Sequence, residues 1–117
     1  MEKKISTREV SNKSEKIGAK AIGMRQQTNS GSTRFAKGDL VDDYTLLDDK
    51  TMMNIRESVS LNIKWFRKIK EESFSMNKRF SGIRFNFGEP KISFIAVSEV
   101  DFVELYNAWK ELHGDET

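Results

Sequence analysis

Residues 37–51 read KGDLVDDYTLLDDKT. Five aspartates (Asp39, Asp42, Asp43, Asp48 and Asp49) crowd into a stretch whose apolar residues, Leu40, Val41, Tyr44, Leu46 and Leu47, read as strand. Asp42-Asp43 falls at a two-residue turn between two apolar runs, so the segment predicts a β-hairpin. Side chains alternate faces along a strand. From Tyr44 onward, one face carries Tyr44, Leu46, Asp48 and Lys50, and the other Thr45, Leu47 and Asp49. A turn at 42–43 sets Val41 against Tyr44, Leu40 against Thr45 and Asp39 against Leu46. Opposed residues share a face. Asp39 therefore joins Asp48 and Lys50, one diagonal step from Asp48, and Asp48 and Lys50 lie about 7 Å apart along the strand.

Two carboxylates and an ammonium converging on one face suit phosphodiester hydrolysis. The acids can hold a hard divalent cation, most naturally Mg²⁺, with water and phosphate oxygens completing its shell. Such a metal activates water and offsets phosphate charge. Lysine can position that water or stabilise developing charge. The plainer reading is a turn with a solvated acidic edge and an incidental lysine. The pattern alone leaves both open.

Charge along the rest of the chain bears on the choice. The net charge is +2, but residues 1–38 carry nine Lys/Arg and three acids, a net +6. Residues 39–50 carry a net −4, residues 51–80 a net +4, and residues 81–117 a net −4. An acidic knot thus sits between basic flanks. The flanks would attract a nucleic-acid backbone, and the knot would repel it unless it holds a cation.

At 117 residues, the chain predicts one domain, with residues 1–6 a loose tail. It has no cysteine and one histidine, which argues against disulfides and the usual zinc sites. No apolar run approaches membrane length and the N-terminal stretch lacks a signal-peptide core, so an intracellular location is expected. Residues 11–24 predict a helix with Ile17, Ala21 and Ile22 inward, with an earlier start possible at the Ser6–Glu9 capping-box pattern. The polar stretch from Gln26 to Gly38 predicts a loop. Residues 60–76 predict a helix with Leu61, Trp65 and Ile69 on one stripe and Phe66 beside it. Residues 81–88 and 91–98 predict strands, and Ser98 with Asp101 caps a last helix. The expected fold is α/β, a mixed sheet flanked by helices in the order α-β-β-α-β-β-α. Trp65, Phe66 and Trp109 are assigned to the core, and His113 is given no role.

The stretch GDLVDDYTLLDDK resembles the G-D…(D/E)-x-K core of the PD-(D/E)xK nuclease superfamily. NSGSTRFAKGD upstream looks like the Ser-Gly loop of archaeal and phage Holliday-junction resolvases. The helix and strand within residues 58–88 look like those that follow the core in small phage resolvase-like nucleases. The resemblance spans about residues 12–112 and implies a restriction-endonuclease-like core. Carried onto this chain, it implies catalytic residues Glu15, Asp39, Asp48 and Lys50. Glu15, Asp39 and Asp48 would bind the metal, with the backbone carbonyl of Asp49. Ser30, Ser32, Arg34 and Lys37 would contact DNA, with Lys64 on the following helix and Lys68 one turn on. Gly38 stands where a proline is common, and Asp48 where close relatives often carry Glu; both variants occur in the superfamily.

The activity implied is Mg²⁺-dependent cleavage of branched DNA, four-way junctions above all, with Mn²⁺ substituting. It needs no nucleotide cofactor and no membrane, and the location implied is cytoplasmic, the host cytoplasm if the chain is viral. Two cuts on symmetry-related strands imply a homodimer. The alternatives are a flap, nicking or restriction-like nuclease of the same fold, and a non-catalytic DNA-binding relative.

Overall fold

A computed structural model describes residues 7–27 and 39–114. Three helices and five strands follow in the order α1 (Thr7–Ile22), β1 (Arg25–Gln26), β2 (Leu40–Val41), β3 (Thr45–Lys50), α2 (Ile63–Ser75), β4 (Phe80–Asn86), β5 (Ser93–Val97) and α3 (Glu99–His113). The fold is α/β, with one mixed sheet in spatial order β1-β2-β3-β4-β5. All neighbouring strands run antiparallel except β3 and β4, which are parallel and joined through α2. The observed order contains one strand more than expected. The extra strand, β1, has two residues and lies at the start of the stretch read as loop. Gln26 pairs with Leu40, and the Gln27 N–H donates to the Asp39 carbonyl at 2.8 Å. Its polar composition hid it, because an edge strand can form on backbone bonds alone. Among the described residues, no helix is long and apolar enough to cross a membrane.

The strands alternate as their sequence demands, and each face is covered by a different helix. Val41, Leu46 and Ile83 pack under α2 through Ile69, with Trp65, Phe66 and Met76 at the margin. Leu40 and Leu47 pack with Met24 and Ala19 on the α1 side. Leu40, Leu46 and Ile83 are fully buried, and trimming such a side chain to alanine costs about 2–5 kcal/mol.

Each helix departs from its expected form in a way that has a local cause. α1 starts at Thr7, the earlier of the two starts. Its inward face carries Ser14 and Gly18, with Ala19 beside them, while Ala21 and Ile22 are exposed. Small residues serve here because a large side chain of the sheet passes beneath. α2 begins after Asn62, whose side-chain oxygen accepts from the Lys64 N–H at 2.8 Å, so Leu61 lies ahead of the helix and is exposed. α3 is capped as expected, Ser98 Oγ accepting from the Asp101 N–H at 3.1 Å. Its apolar side chains are not core, however, and Trp109 is 57% exposed.

The segment from β3 to α2 crosses the end of β4. The Arg56 N–H donates to the Phe87 carbonyl at 3.0 Å. Gly88 has φ +102°, and a Cβ there would lie 2.5 Å from the Ile55 Cα. Only glycine combines that backbone with that approach.

Candidate metal and nucleic-acid site

The hairpin closes on Asp42. Its carboxylate accepts from the Tyr44 and Thr45 N–H groups, both at 2.8 Å, and its own N–H donates to the Thr45 carbonyl at 3.1 Å. The turn residues are therefore Asp43 and Tyr44, one place later than the apolar pattern implied. Asp42 competes for the turn because an aspartate bonds its own backbone two residues on. The pairing slides by two: Leu40 faces Leu47 and Val41 faces Leu46. A one-residue slip would have exchanged the faces, whereas two residues preserve them. Asp39, just ahead of β2, donates its N–H to the Leu47 carbonyl at 2.9 Å, and its carboxyl comes within hydrogen-bonding reach of Asp48.

The two carboxyls meet where β3 ends. Asp39 Oδ2 accepts from the Asp49 N–H at 2.7 Å, which fixes its carboxyl against the strand. Burial pushes the Asp39 carboxyl up to about 8, assisted by its hydrogen bond with Asp48 and by the charges of Asp48 and Glu15, while the Asp49 N–H pulls the other way. The direction follows from a carboxyl held in a partly dry place beside a second acid. Lys50 completes the group. Its Nζ lies 2.8 Å from Asp48 Oδ2 and 4.7 Å from the centre of the Trp65 ring. Trp65 packs against the core and also faces the lysine. Lys64 precedes it in the first turn of α2, exposed at the same end of the sheet.

Glu15 approaches from α1. Its carboxyl is held above the usual range by burial; a hydrogen bond from Gln26 opposes this, and the charges of Asp49 and Asp48 add to it. The Gln26 Nε2 to Glu15 Oε1 distance is 3.5 Å. Glu15 is thus near the pair but not packed into it. Among the described residues, no three Asp, Glu, His or Cys side chains form a metal cage. The close unit is Asp39 with Asp48. That pair fits a hard cation of the Mg²⁺ kind, which is commonly held by one or two carboxylates with its remaining positions in water.

Asp49 points to the other face, as the strand period requires. Its Oδ1 accepts from Arg84 Nη1 at 2.6 Å, and both side chains are almost wholly buried. Arg84 Nη1 also donates to the Ser14 carbonyl at 3.0 Å and to Ser14 Oγ at 3.2 Å, and Nη2 donates to the Pro90 carbonyl at 3.0 Å. This guanidinium ties α1, β3 and the turn after β4 into one unit behind the carboxyl pair. Gly18 makes room for it: a Cβ there would lie 2.7 Å from Arg84 Cζ. The Asp49 carboxylate is thereby committed to structure, and only its backbone faces the pair.

Sequence reasoning passed over Arg84, Ser14, Gly18 and Gln26. One signal was present: arginine inside the alternating strand FSGIRFN, next to a buried isoleucine, requires a buried acid. Ser30, Ser32, Arg34 and Lys37 lie outside the described residues. Comparison with protein-family models, curated proteins and solved structures found no match.

Proposed function

We propose that this chain is a metal-dependent, structure-selective endodeoxyribonuclease with a restriction-endonuclease-like core. Its substrate would be a four-way junction or other branched DNA, and it would act as a homodimer. The observation that carries the reading is the Asp39–Asp48 pair with Lys50 against it. Without a divalent cation, burial and the neighbouring Asp48 disfavour ionisation of Asp39. A fold gains nothing in stability from that arrangement, whereas a divalent cation converts it into a binding site. Mg²⁺, or Mn²⁺ in its place, would be held by Asp39 and Asp48, with the Asp49 carbonyl and Glu15 contributing directly or through water. Bound there, the metal supplies an activated water and offsets charge on the phosphate.

The residues of the chain divide the remaining tasks. Asp39 is fixed by the Asp49 N–H, so its carboxyl is oriented before any ligand arrives. Asp48 holds Lys50 in place, and Trp65 supports the ammonium from the side. Lys50 is then placed to donate to a phosphate oxygen as charge develops there. Arg84 and Asp49 hold β3 in register without touching the substrate. Lys64 lies at the same end and suits a backbone phosphate. Ser30, Ser32, Arg34 and Lys37 are proposed to grip phosphates beside the cut, since hydroxyls and cations are ordinary phosphate donors.

The test uses labelled four-way junction and matched linear duplex, each with Mg²⁺ or EDTA, with wild type and Asp39→Asn. Cleavage of the junction in Mg²⁺ alone, lost in Asp39→Asn with DNA binding retained, supports the reading. An Asp39→Asn variant that cuts at the wild-type rate would remove Asp39 from the chemistry. Binding of the junction without cleavage in Mg²⁺ would reduce the chain to a non-catalytic DNA-binding protein.

A further inference from the structure

The last helix does not belong to the core of its own chain. Val100, Phe102, Val103, Leu105, Tyr106, Trp109 and Leu112 are all exposed, from 43% at Val103 to 81% at Leu112. Asp101 is the buried residue of the helix, and it is ion-paired with Arg79. Arg79 also bonds Glu104, so α3 is clasped near its start while the rest projects. The molecule is correspondingly long, 60 × 34 × 26 Å. Five of these, Phe102, Leu105, Tyr106, Trp109 and Leu112, share one face of the helix and present on the order of 500 Å² of surface. That is the size of the largest apolar patch on an ordinary monomer, about 300–600 Å² and often functional. A stable dimer buries about 800 Å² on each partner.

The pattern of the exposed residues points to what covers them. Phe102, Leu105, Trp109 and Leu112 recur at spacings of three, four and three, which is the a/d seam of a coiled coil over two repeats. The seam is symmetric about Asn107. Set antiparallel to a second copy, Phe102 of one chain meets Leu112 of the other, and Leu105 meets Trp109. Charge agrees with that direction. The first turn of α3 exposes Glu99, while Asp101 is held by Arg79 of its own chain, and the last turn holds Lys110 and His113 with Glu111, so antiparallel copies bring Glu99 towards a basic end and oppose their helix dipoles. Phe102 stacks on Tyr106 at 5.7 Å and Trp109 on His113 at 4.4 Å, so the seam rings are already ordered. Glu99, Asp101, Glu104 and Glu111 outnumber Lys110 on this helix, which disfavours DNA or an anionic membrane as the occupant.

We infer that α3 is a dimerisation helix, which pairs antiparallel with α3 of a second copy through Phe102, Leu105, Trp109 and Leu112. The inference stands on the helix itself; it also supplies the two-fold assembly that a junction-cleaving enzyme needs. Sedimentation equilibrium of the full chain tests it, alongside far-ultraviolet circular dichroism. Wild type is expected at twice the 13.5 kDa chain mass. Trp109→Glu/Leu112→Glu is expected as a monomer with the sheet and the other helices intact, because neither side chain is buried in its own chain. Direction is read by cross-linking, since the chain has no native cysteine. Leu105→Cys mixed with Trp109→Cys should yield a heterodisulfide under mild oxidation. A monomeric wild type, or a double variant that remains dimeric, overturns the inference. Efficient self-linking of Leu105→Cys alone overturns the antiparallel pairing. A dimer without nuclease activity would leave this inference standing and sink only the catalytic reading.

Discussion

Replacing Asp39 by asparagine should make the metal-free protein more stable while abolishing its proposed activity. Asparagine keeps the shape of the site. Its carbonyl can accept from the Asp49 N–H, as Asp39 Oδ2 does at 2.7 Å, and its amide can donate to Asp48. What it removes is the ionisation that burial and Asp48 oppose. The carboxyl rises from an ordinary 3.8 to about 8 on folding. Between those values, the folded chain holds a proton that the unfolded chain has released, so metal-free stability falls as pH rises towards 8. At about 1.4 kcal/mol per pH unit, full ionisation costs on the order of 6 kcal/mol before any screening. Water reaches part of the pair and Lys50 partly screens it, so the expected difference at pH 8 is about 2–4 kcal/mol.

The assay is urea unfolding of wild type and Asp39→Asn in EDTA from pH 5 to pH 8, repeated with Mg²⁺. In EDTA, the variant should gain on wild type steadily with pH and lead by about 2–4 kcal/mol at pH 8, read as a higher urea midpoint at unchanged m. Mg²⁺ should stabilise wild type at pH 8 and leave Asp39→Asn unmoved, because only the ionised pair binds it. Parallel pH profiles in EDTA would show that Asp39 is not forced against Asp48, and the electrostatic argument for the site would fail.

Three further outcomes are expected. Lys50→Ala should lower turnover about 10²-fold or more, with little change in metal affinity, measured as single-turnover cleavage against Mg²⁺ concentration. Arg84→Met or Asp49→Asn alone should destabilise the fold by about 3–5 kcal/mol in denaturant titration, since each strands a buried charge or unpaired donors. Arg34→Ala should weaken junction binding evenly across DNA sequences and lower the log–log salt slope by about 0.9, read from affinities at several salt concentrations.

The common face of Asp39, Asp48 and Lys50 was legible in the sequence because strand period is a property of the backbone, and it survived a turn one residue later than expected, which slides the pairing by two. The Ser98 cap and the Trp65, Phe66 and Ile69 part of the α2 stripe were legible because helix period and capping are local, whereas Leu61 fell ahead of the Asn62 cap. The placement of Arg84 was not, since its bond to Asp49 depends on the parallel register of β3 and β4, and its other partners come from α1 and the turn at Pro90. Nor was β1, whose pairing uses backbone groups that every sequence carries. The apolar residues of α3 reveal the limit most clearly. Composition marks Phe102, Leu105, Trp109 and Leu112 for burial, but whether their own sheet or another surface covers them depends on where the chain leaves β5, which only the tertiary structure decides.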